Sequence, residues 1–347
     1  MEDEIQKNGK KDPKEFLLKS KEILGVSIII CTYNGKNRME KTLQAVCSQE
    51  VDFPFEILVV NNASNDDTQN WLEEWIIKNK RKVPLRQIHE SKPGLAHARI
   101  KGTQEASFSY LLFCDDDNWL SPGYLRMGLS LLTENPKIGV LGGCGEAVFE
   151  TEKPSWFDQY SHSYAVGDLR MKSGKLLEGS ALYGASCFYR KEGFQRLFDL
   201  GWESILSDRK GKSLSSGGDV EFCYAFQLIG YELHFEKQLI FYHFIERHRL
   251  NWNYYLKLKE GISSSFPLLE SYKTKQFKDL KTFTKSLWMS YLLAVKGFLK
   301  TSLIGTFSKS KSNQVARRIT KTKCVSFFKN YHRTIIAFER NQELFNA

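Results

Sequence analysis

The chain has 347 residues, of which 41% are hydrophobic and 26% charged, and its formal net charge is +10. This composition excludes a disordered protein, and the length allows one large domain with an appendage or two domains. The positive charge lies near the C-terminus, because residues 271–347 contain 16 Lys and Arg against 3 Asp and Glu, which leaves 34 against 37 for residues 1–270. Such a region predicts an anionic partner, either a membrane surface or nucleic acid.

The N-terminal arm, residues 1–24, is mostly charged and polar. It has no apolar segment of the kind that a signal peptide needs, so we expect a cytoplasmic protein. The seven cysteines agree with this expectation. They are scattered, odd in number and without the spacing of zinc ligands, as is typical of reduced thiols.

Strand and helix patterns alternate through the next hundred residues. Short apolar, β-branched runs predict buried strands, and periodic apolar positions such as Met39, Leu43 and Val46 predict the helices between them. The predicted strands cover residues 25–32, 55–60, 85–89 and the first half of 110–120. This alternation predicts an α/β fold with a doubly wound, mostly parallel sheet, in which ligands bind beyond the carboxyl ends of the strands.

Polar residues follow three of these strands. They are Thr32, Tyr33 and Asn34, then Asn61 and Asn62, and finally Asp115, Asp116 and Asp117. Adjacent carboxylates repel each other unless a cation lies among them. Because alternate residues of an extended chain point to the same side, Asp115 and Asp117 can share a divalent metal while Asp116 points elsewhere. The alternative is a solvated acidic turn before the next helix. Neither a GxGxxG fingerprint nor a P-loop is present.

The second half of the chain gives weaker patterns. Residues 215–221 open an apolar helix, whose Asp219 and Glu221 are either functional carboxylates or acids stabilised by the helix dipole. Residues 231–250 predict a pair of edge-like strands. His243 lies among their aromatic residues, where it is either a packed core residue or a metal ligand.

Five segments together resemble a known family. In chain order they are VSIIICTYNG, EILVVNNAS, KPGLAHAR, FCDDDNWLSP and GGDVEFCYAFQLIGYEL. They resemble the successive signatures of glycosyltransferase family 2, the nucleotide-sugar-dependent inverting enzymes with the GT-A fold. The resemblance implies a GT-A domain over residues 25–250, with a nucleotide-sugar half at about 25–120 and an acceptor half at about 121–250.

The resemblance also implies roles for the acidic residues and one histidine. Asp115, Asp117 and His243 would hold Mg²⁺ or Mn²⁺ on the donor diphosphate. Asp219 would be the general base that activates the acceptor hydroxyl. Glu221 is the alternative base, because the acid that usually precedes the base in this family is replaced here by Gly218.

The remaining implied residues would bind a donor of the UDP or dTDP type. One departure concerns Asn61, since the family usually has an acid after the second strand, where the nucleotide base is read. The donor-binding residues implied by the resemblance are Thr32, Tyr33, Asn34, Asn61, Asn62, Lys92, Gly94, Arg99, Asp115 and Asp116.

Residues 251–347 form a basic C-terminal region for which we expect helices. The apolar segment 287–307 contains Lys296 and Lys300, whose charges make a membrane-spanning helix costly. Two arrangements remain. One is an amphipathic helix on an anionic membrane surface, and the other is a helix packed on the catalytic domain with a solvated basic face.

These features together predict an inverting glycosyltransferase that extends a surface glycan or a lipid-linked acceptor, peripheral on the cytoplasmic face of the membrane. No nucleic acid partner is expected. The alternatives are a nucleic-acid-binding α/β protein that uses the basic region, and a metal-dependent phosphohydrolase. The latter needs a nucleophilic Asp directly after the first strand, a place that Thr32 and Tyr33 occupy.

Overall fold

The computed structural model describes residues 23–79, 83–168, 172–210, 214–307 and 310–346. Residues 1–22 of the N-terminal arm lie outside the described residues. The strands are β1 Ile23–Thr32, β2 Phe55–Asn62, β3 Leu85–Glu90, β4 Phe108–Asp115, β5 Asn118–Leu120, β6 Ile138–Phe149, β7 Gly174–Lys175, β8 Cys187–Arg190 and β9 Glu232–Ile245. The helices are α1 Met39–Cys47, α2 Thr68–Lys78, α3 Leu95–Glu105, α4 Tyr124–Glu134, α5 Phe157–Tyr160, α6 Lys191–Asp199, α7 Gly218–Leu228, α8 Trp252–Ser264, α9 Phe266–Leu269, α10 Leu280–Phe307 and α11 Lys311–Asn346.

The first four strands form the parallel half of one sheet, in the order β3, β2, β1, β4. Their predicted positions are confirmed to within a few residues. The register places Cys31 beside Asp115, and Thr32 beside Asn61. The carboxyl ends of β1, β2 and β4 therefore meet at one edge of the sheet, where the sequence predicted a site.

The other half of the sheet mixes parallel and antiparallel pairs. β8 is antiparallel to both β4 and β6, β6 is parallel to β9, and β9 is antiparallel to β5. The sheet is therefore less parallel than the sequence predicted. The predicted stretch 110–120 also divides in two, because the chain turns at Asp116 and Asp117 between β4 and β5.

The predicted pair of edge-like strands at 231–250 is wrong. These residues form one 14-residue strand, β9, which lies between β6 and β5 in the sheet. The register with β6 steps from Gly142 opposite Phe235 to Cys144 opposite Ile240, so four residues of β9 bulge against one of β6. Polar side chains fill this bulge, and they interrupt the apolar pattern that a continuous buried strand would show.

Hydrophobic cores cover both faces of the sheet. On one face Ile28 and Ile30 pack in a cluster with side chains of α1, α2 and α4, and on the other Ile29 packs with side chains of α3, α6 and α7. Alternate residues of β1 thus enter opposite cores, which explains why the strand is apolar on both faces over most of its length. This three-layer arrangement is the α/β fold that the sequence predicted.

The C-terminal helices form an antiparallel hairpin on the α/β part of the chain. α11 packs against α8 and α9, and Asn341 donates to the Ser271 carbonyl at 3.2 Å. α10 packs on α11, with the rings of Phe283 and Phe338 stacked at 3.8 Å. In the part of the chain that the structure describes, no helix combines the length and the apolar character needed to cross a membrane.

Candidate active site

A cavity of about 590 Å³ lies at the carboxyl ends of β1, β2 and β4. The start of α7 and the end of β9 close it from the other side. Its wall contains these predicted site residues: Thr32, Tyr33, Asn62, Gly94, Arg99, Asp115, Asp116, Asp117, Asp219 and His243. Fold topology therefore brings together residues that are up to 211 positions apart in the sequence.

Asp116 lies in the cavity wall, but its carboxylate is engaged within the protein. It accepts hydrogen bonds from Thr32 Oγ1 at 2.6 Å and from Arg38 Nε and Nη2 at 2.8 Å each. A side chain at Gly35 would clash with Thr32 and Asp116, since a Cβ there would lie 2.0 Å from Thr32 Oγ1. Asp116 therefore fixes the loop after β1 and is engaged by Thr32 and Arg38. The chain turns at Asp116 and Asp117, so the alternation of an extended chain does not apply there.

Asp115 faces a second arginine. Its Oδ1 lies 3.6 Å from Arg99 Nη2, and Arg99 Nη1 lies 3.5 Å from Asp208 Oδ2. The Asp115 side chain is 35% exposed, whereas Arg99 and Asp208 are buried. Arg99 therefore links the end of β4 to the loop before α7. Burial raises the pKa of Asp208 to about 6, against the opposing effect of Arg99 and with a contribution from Asp219.

Asp117 forms a compact group with His243 and Arg249. Its Oδ2 lies 2.7 Å from Arg249 Nη1 and 3.3 Å from His243 Nε2. Burial acts to raise the pKa of Asp117, but His243 and Arg249 together hold it well below its ordinary value. The carboxylate is therefore ionised throughout the physiological range.

The orientation of His243 suits a metal ligand. Its Nδ1 lies 2.6 Å from the Tyr164 carbonyl oxygen, which can only accept, so Nδ1 donates there, and in the neutral imidazole Nε2 keeps a lone pair that faces Arg249 Nη1 at 3.3 Å. A carboxylate oxygen and an imidazole nitrogen are a donor set that Mn²⁺ or Mg²⁺ can use. No group of three or more His, Cys, Asp or Glu in metal-binding arrangement occurs in the described ranges, so phosphate and water would supply the other ligands.

Asp219 reaches the cavity from the first turn of α7. Its Oδ2 accepts a hydrogen bond from the Gly184 amide at 2.9 Å. Gly184 must lack a side chain here, because a Cβ would lie 2.7 Å from the Asp219 Cβ and 2.9 Å from Arg99 Nη2. The structure thus places Asp219 and the turn at Gly184 side by side in the cavity wall.

Glu221, the alternative base, points away from the cavity, and that assignment is corrected. It is fully buried, and its carboxylate accepts hydrogen bonds from Ser204 Oγ at 2.6 Å, the amides of Ile205 and Leu206 at 2.7 and 3.2 Å, and the Tyr272 hydroxyl at 2.7 Å. Two residues along a helix lie about 200° apart, so Glu221 cannot share the face of Asp219. Its role is to anchor the loop before α7 to the C-terminal region.

We expect Glu221→Gln to lower the free energy of unfolding by about 2 to 4 kcal/mol, because an amide cannot accept from all of these buried donors. Urea denaturation checks this, with Asp219→Asn as the matched control, since Asp219 lies at the cavity wall. Unchanged stability of Glu221→Gln together with lost turnover would contradict the structural role.

Three other predicted donor residues are not in the cavity wall. Asn34 bonds to Asn65, with its Nδ2 2.8 Å from Asn65 Oδ1, and Asn61 Oδ1 accepts from the Ser64 amide at 3.3 Å. Lys92 contributes its backbone carbonyl to Asn62 Nδ2 at 2.8 Å. These residues shape the loops behind the cavity.

Sequence reasoning missed Arg38, Asp208 and Arg249. Each lies in a polar segment without periodicity, so no local pattern distinguishes it. Arg249 follows β9 in a short basic stretch, Glu246–Arg249, which is the one weak signal.

Known proteins resemble this chain in sequence and in fold. The family profile described as glycosyl transferase family 2 matches residues 27–198. These residues form a glycosyltransferase family 2 domain. The mannosyltransferase PcManGT from Pyrobaculum calidifontis, solved with GDP-Man and Mn²⁺, is 16% identical, and the alignment covers 91% of this chain and 92% of that one with a TM-score of 0.54. The family 2 domain thus has the GT-A fold, as predicted.

Two curated relatives are similar over shorter stretches. The putative glycosyltransferase EpsH of Bacillus subtilis is 31% identical over 105 residues, which are 30% of this chain and 29% of EpsH. The poly(ribitol-phosphate) beta-N-acetylglucosaminyltransferase TarS of Staphylococcus aureus is 27% identical over 112 residues, 31% of this chain and 19% of TarS. The chain thus spans less than a third of the length of either relative.

Proposed function

We propose that this protein is an inverting glycosyltransferase that moves a sugar from a nucleoside diphosphate sugar to a hydroxyl of a glycan or lipid-linked acceptor in cell-surface polysaccharide synthesis. The observation that carries the proposal is the meeting of two separate acidic centres on one cavity. Asp117 lies beside His243, and Asp219 lies beside Gly184 on α7. TarS, whose name states an N-acetylglucosaminyl transfer to poly(ribitol-phosphate), supports the polymer acceptor.

The two centres do different chemical work. Departure of the nucleoside diphosphate builds negative charge on its phosphates, which Mg²⁺ or Mn²⁺ held by Asp117 and His243 would neutralise, with phosphate and water as the remaining ligands and Asp115 nearby in the cavity wall. Asp219 takes the proton of the acceptor hydroxyl as that oxygen attacks the anomeric carbon. Because a single base assists one displacement from the face opposite the leaving group, the anomeric configuration inverts.

We propose a UDP or dTDP sugar as the donor, held by Thr32, Tyr33, Asn62, Gly94 and Arg99 in the cavity wall. A panel of nucleotide sugars with UDP, dTDP and GDP carriers tests this, with released nucleoside diphosphate as the measurement. Release from a GDP sugar alone would contradict the donor class. Release from no donor with any acceptor glycan would contradict the proposed function.

For the C-terminal hairpin we propose docking on the cytoplasmic face of an anionic membrane. α10 exposes one apolar stripe to solvent: Trp288, Met289, Leu292, Leu293, Leu299, Leu303 and Ile304, each at least 40% exposed. The helix has no Asp or Glu, and Lys281, Lys285, Lys296 and Lys300 are exposed on the same side, where the helical period places them between the apolar side chains. Apolar side chains interspersed with lysines suit acyl chains and anionic lipid headgroups, because a lysine stem can extend along the apolar surface while its ammonium stays at the headgroups, whereas the lysines of a second copy would repel.

The hairpin itself should not be removed to test this. α11 donates from Arg333 to the Ile205 carbonyl at 3.1 Å and from Arg340 to the Glu203 carbonyl at 2.8 Å, so truncation near Ser271 would expose the catalytic part. Substitutions on the exposed stripe avoid that damage.

We expect the double variant Leu292→Glu with Leu299→Glu to bind phosphatidylserine vesicles at least about tenfold more weakly at low salt, because two exposed leucines no longer insert and two like charges are added. The matched control is Ile77→Glu with Leu177→Glu, which makes the same changes at exposed sites outside the hairpin. Equal vesicle binding by the two double variants would reject the docking surface.

A further inference from the structure

Arg249 occupies the place where a cation is needed between Asp117 and His243. Its Nη1 lies 2.7 Å from Asp117 Oδ2 and 3.3 Å from His243 Nε2. The side chain is only 6% exposed, and its Nε is buried with no hydrogen-bond acceptor among the described residues. The charge of Asp117 therefore holds the guanidinium in a buried position, where the N–H group at Nε has no hydrogen-bond acceptor in the described part of the chain.

Arg249 and a metal ion would both use Nε2 of the His243 imidazole. In the neutral imidazole, which is the form that can bind a metal, Nδ1 donates to the Tyr164 carbonyl and Nε2 has a single lone pair. That lone pair accepts from Arg249 Nη1 or binds a metal ion, and it cannot do both. A metal bound to Nε2 and Asp117 Oδ2 would also place a dication beside the guanidinium in a buried site, where like charges repel strongly.

We infer that Arg249 holds the cation position of Asp117 and His243 in the metal-free enzyme, and that the divalent metal binds by displacing its guanidinium. This inference rests on the metal site of the proposed function. The displaced side chain stays at the cavity wall, where it becomes a hydrogen-bond donor for the phosphates that arrive with the metal. Arg249 is thus a positioning residue that pairs with the Asp117 carboxylate in the metal-free site and competes with the metal for Asp117 and His243.

The test measures Mn²⁺ binding to the full chain without nucleotide, by electron paramagnetic resonance of free Mn²⁺. Arg249→Met is expected to bind Mn²⁺ about ten- to a hundredfold more tightly than the wild type, because the metal no longer breaks a charged hydrogen bond. Arg247→Met is the matched control, since it removes the same charge from an exposed neighbour and should change the Kd less than about twofold. Adding Asp117→Asn to Arg249→Met should abolish the gain.

Two results would overturn the inference. One is an Arg249→Met variant that binds Mn²⁺ no more tightly than the wild type. The other is a crystal structure of the wild type with Mn²⁺ on Asp117 and His243 in which Arg249 Nη1 still bonds to both, a measurement that does not depend on the variant folding. If neither the wild type nor the variant binds Mn²⁺, and a repeat with UDP gives no binding either, the metal site of the proposed function fails as well, whereas an unchanged Kd rejects only the role of Arg249.

Discussion

Asp117→Asn is expected to abolish sugar transfer and metal-dependent nucleotide binding together. The carboxylate of Asp117 is buried and ionised, and it lies beside Nε2 of His243, so it supplies a full negative charge next to the imidazole that we propose as a metal ligand. An amide of the same shape keeps the packing but loses that charge. We expect turnover to fall by at least about a thousandfold, as when a group that stabilises leaving-group charge is removed.

Titration calorimetry of UDP with and without Mn²⁺ checks the cause. In the wild type Mn²⁺ should tighten UDP binding, and in Asp117→Asn the two affinities should coincide. Asp116→Asn is the matched control, since it removes the same charge one residue away, where the carboxylate is bonded to Thr32 and Arg38. That variant should lose stability and retain the Mn²⁺ effect. Full activity of the wild type in excess EDTA would reject the metal role.

The parallel half of the fold could be predicted because its signals are local. Each buried strand is a continuous β-branched run, and parallel strands bring their carboxyl ends to one edge. Thr32, Asn62 and Asp115 are therefore found in the cavity wall. The sequence also predicted that Asp116 does not share the place of its two neighbours, but the reason is a turn at Asp116 and Asp117 and the bonds from Thr32 and Arg38, not the alternation of an extended chain.

The partners that complete the site depend on contacts far apart in the chain. Arg249 is 132 positions from Asp117, and Asp208 is 109 positions from Arg99. In an irregular segment, no sequence pattern indicates which distant residue a charged side chain will contact. Glu221 is a different case, because the helical period alone separates its direction from that of Asp219.

The sequence left two arrangements open for the C-terminal region, a helix on a membrane surface and a helix packed on the catalytic domain. The structure shows that the second does not exclude the first. A hairpin has two faces, so α11 packs on the catalytic part while α10 leaves its outer face in solvent. That outer face carries leucines as well as lysines, whereas the packed arrangement foresaw a solvated basic face. The apolar spacing along α10 could have indicated this, but only the tertiary structure shows which of its faces is covered.

Asp219→Asn is expected to slow transfer by about two to four powers of ten while donor affinity changes less than about twofold. Asp219 accepts from the Gly184 amide, a contact that an Asn oxygen can keep, so the fold and the donor pocket should survive. What is lost is the ability to take a proton from the acceptor hydroxyl. Single-turnover transfer and equilibrium donor binding, measured separately, distinguish this pattern from that of Asp117→Asn, which loses both.

Two further carboxyl variants make the assignment of the base to Asp219 decisive. Glu221→Gln should unfold more easily but transfer sugar at a near-normal rate per folded molecule, because Glu221 contacts only the protein interior. Asp208→Asn tests the other buried acid of the cavity, which borders Gly218: a Cβ added there would lie 2.8 Å from Asp208 Oδ2. If Asp219→Asn transfers sugar normally, the base is not Asp219. A loss confined to Asp208→Asn would then move the role to the loop before α7, since that carboxyl, with its pKa raised to about 6, can also accept a proton near neutral pH.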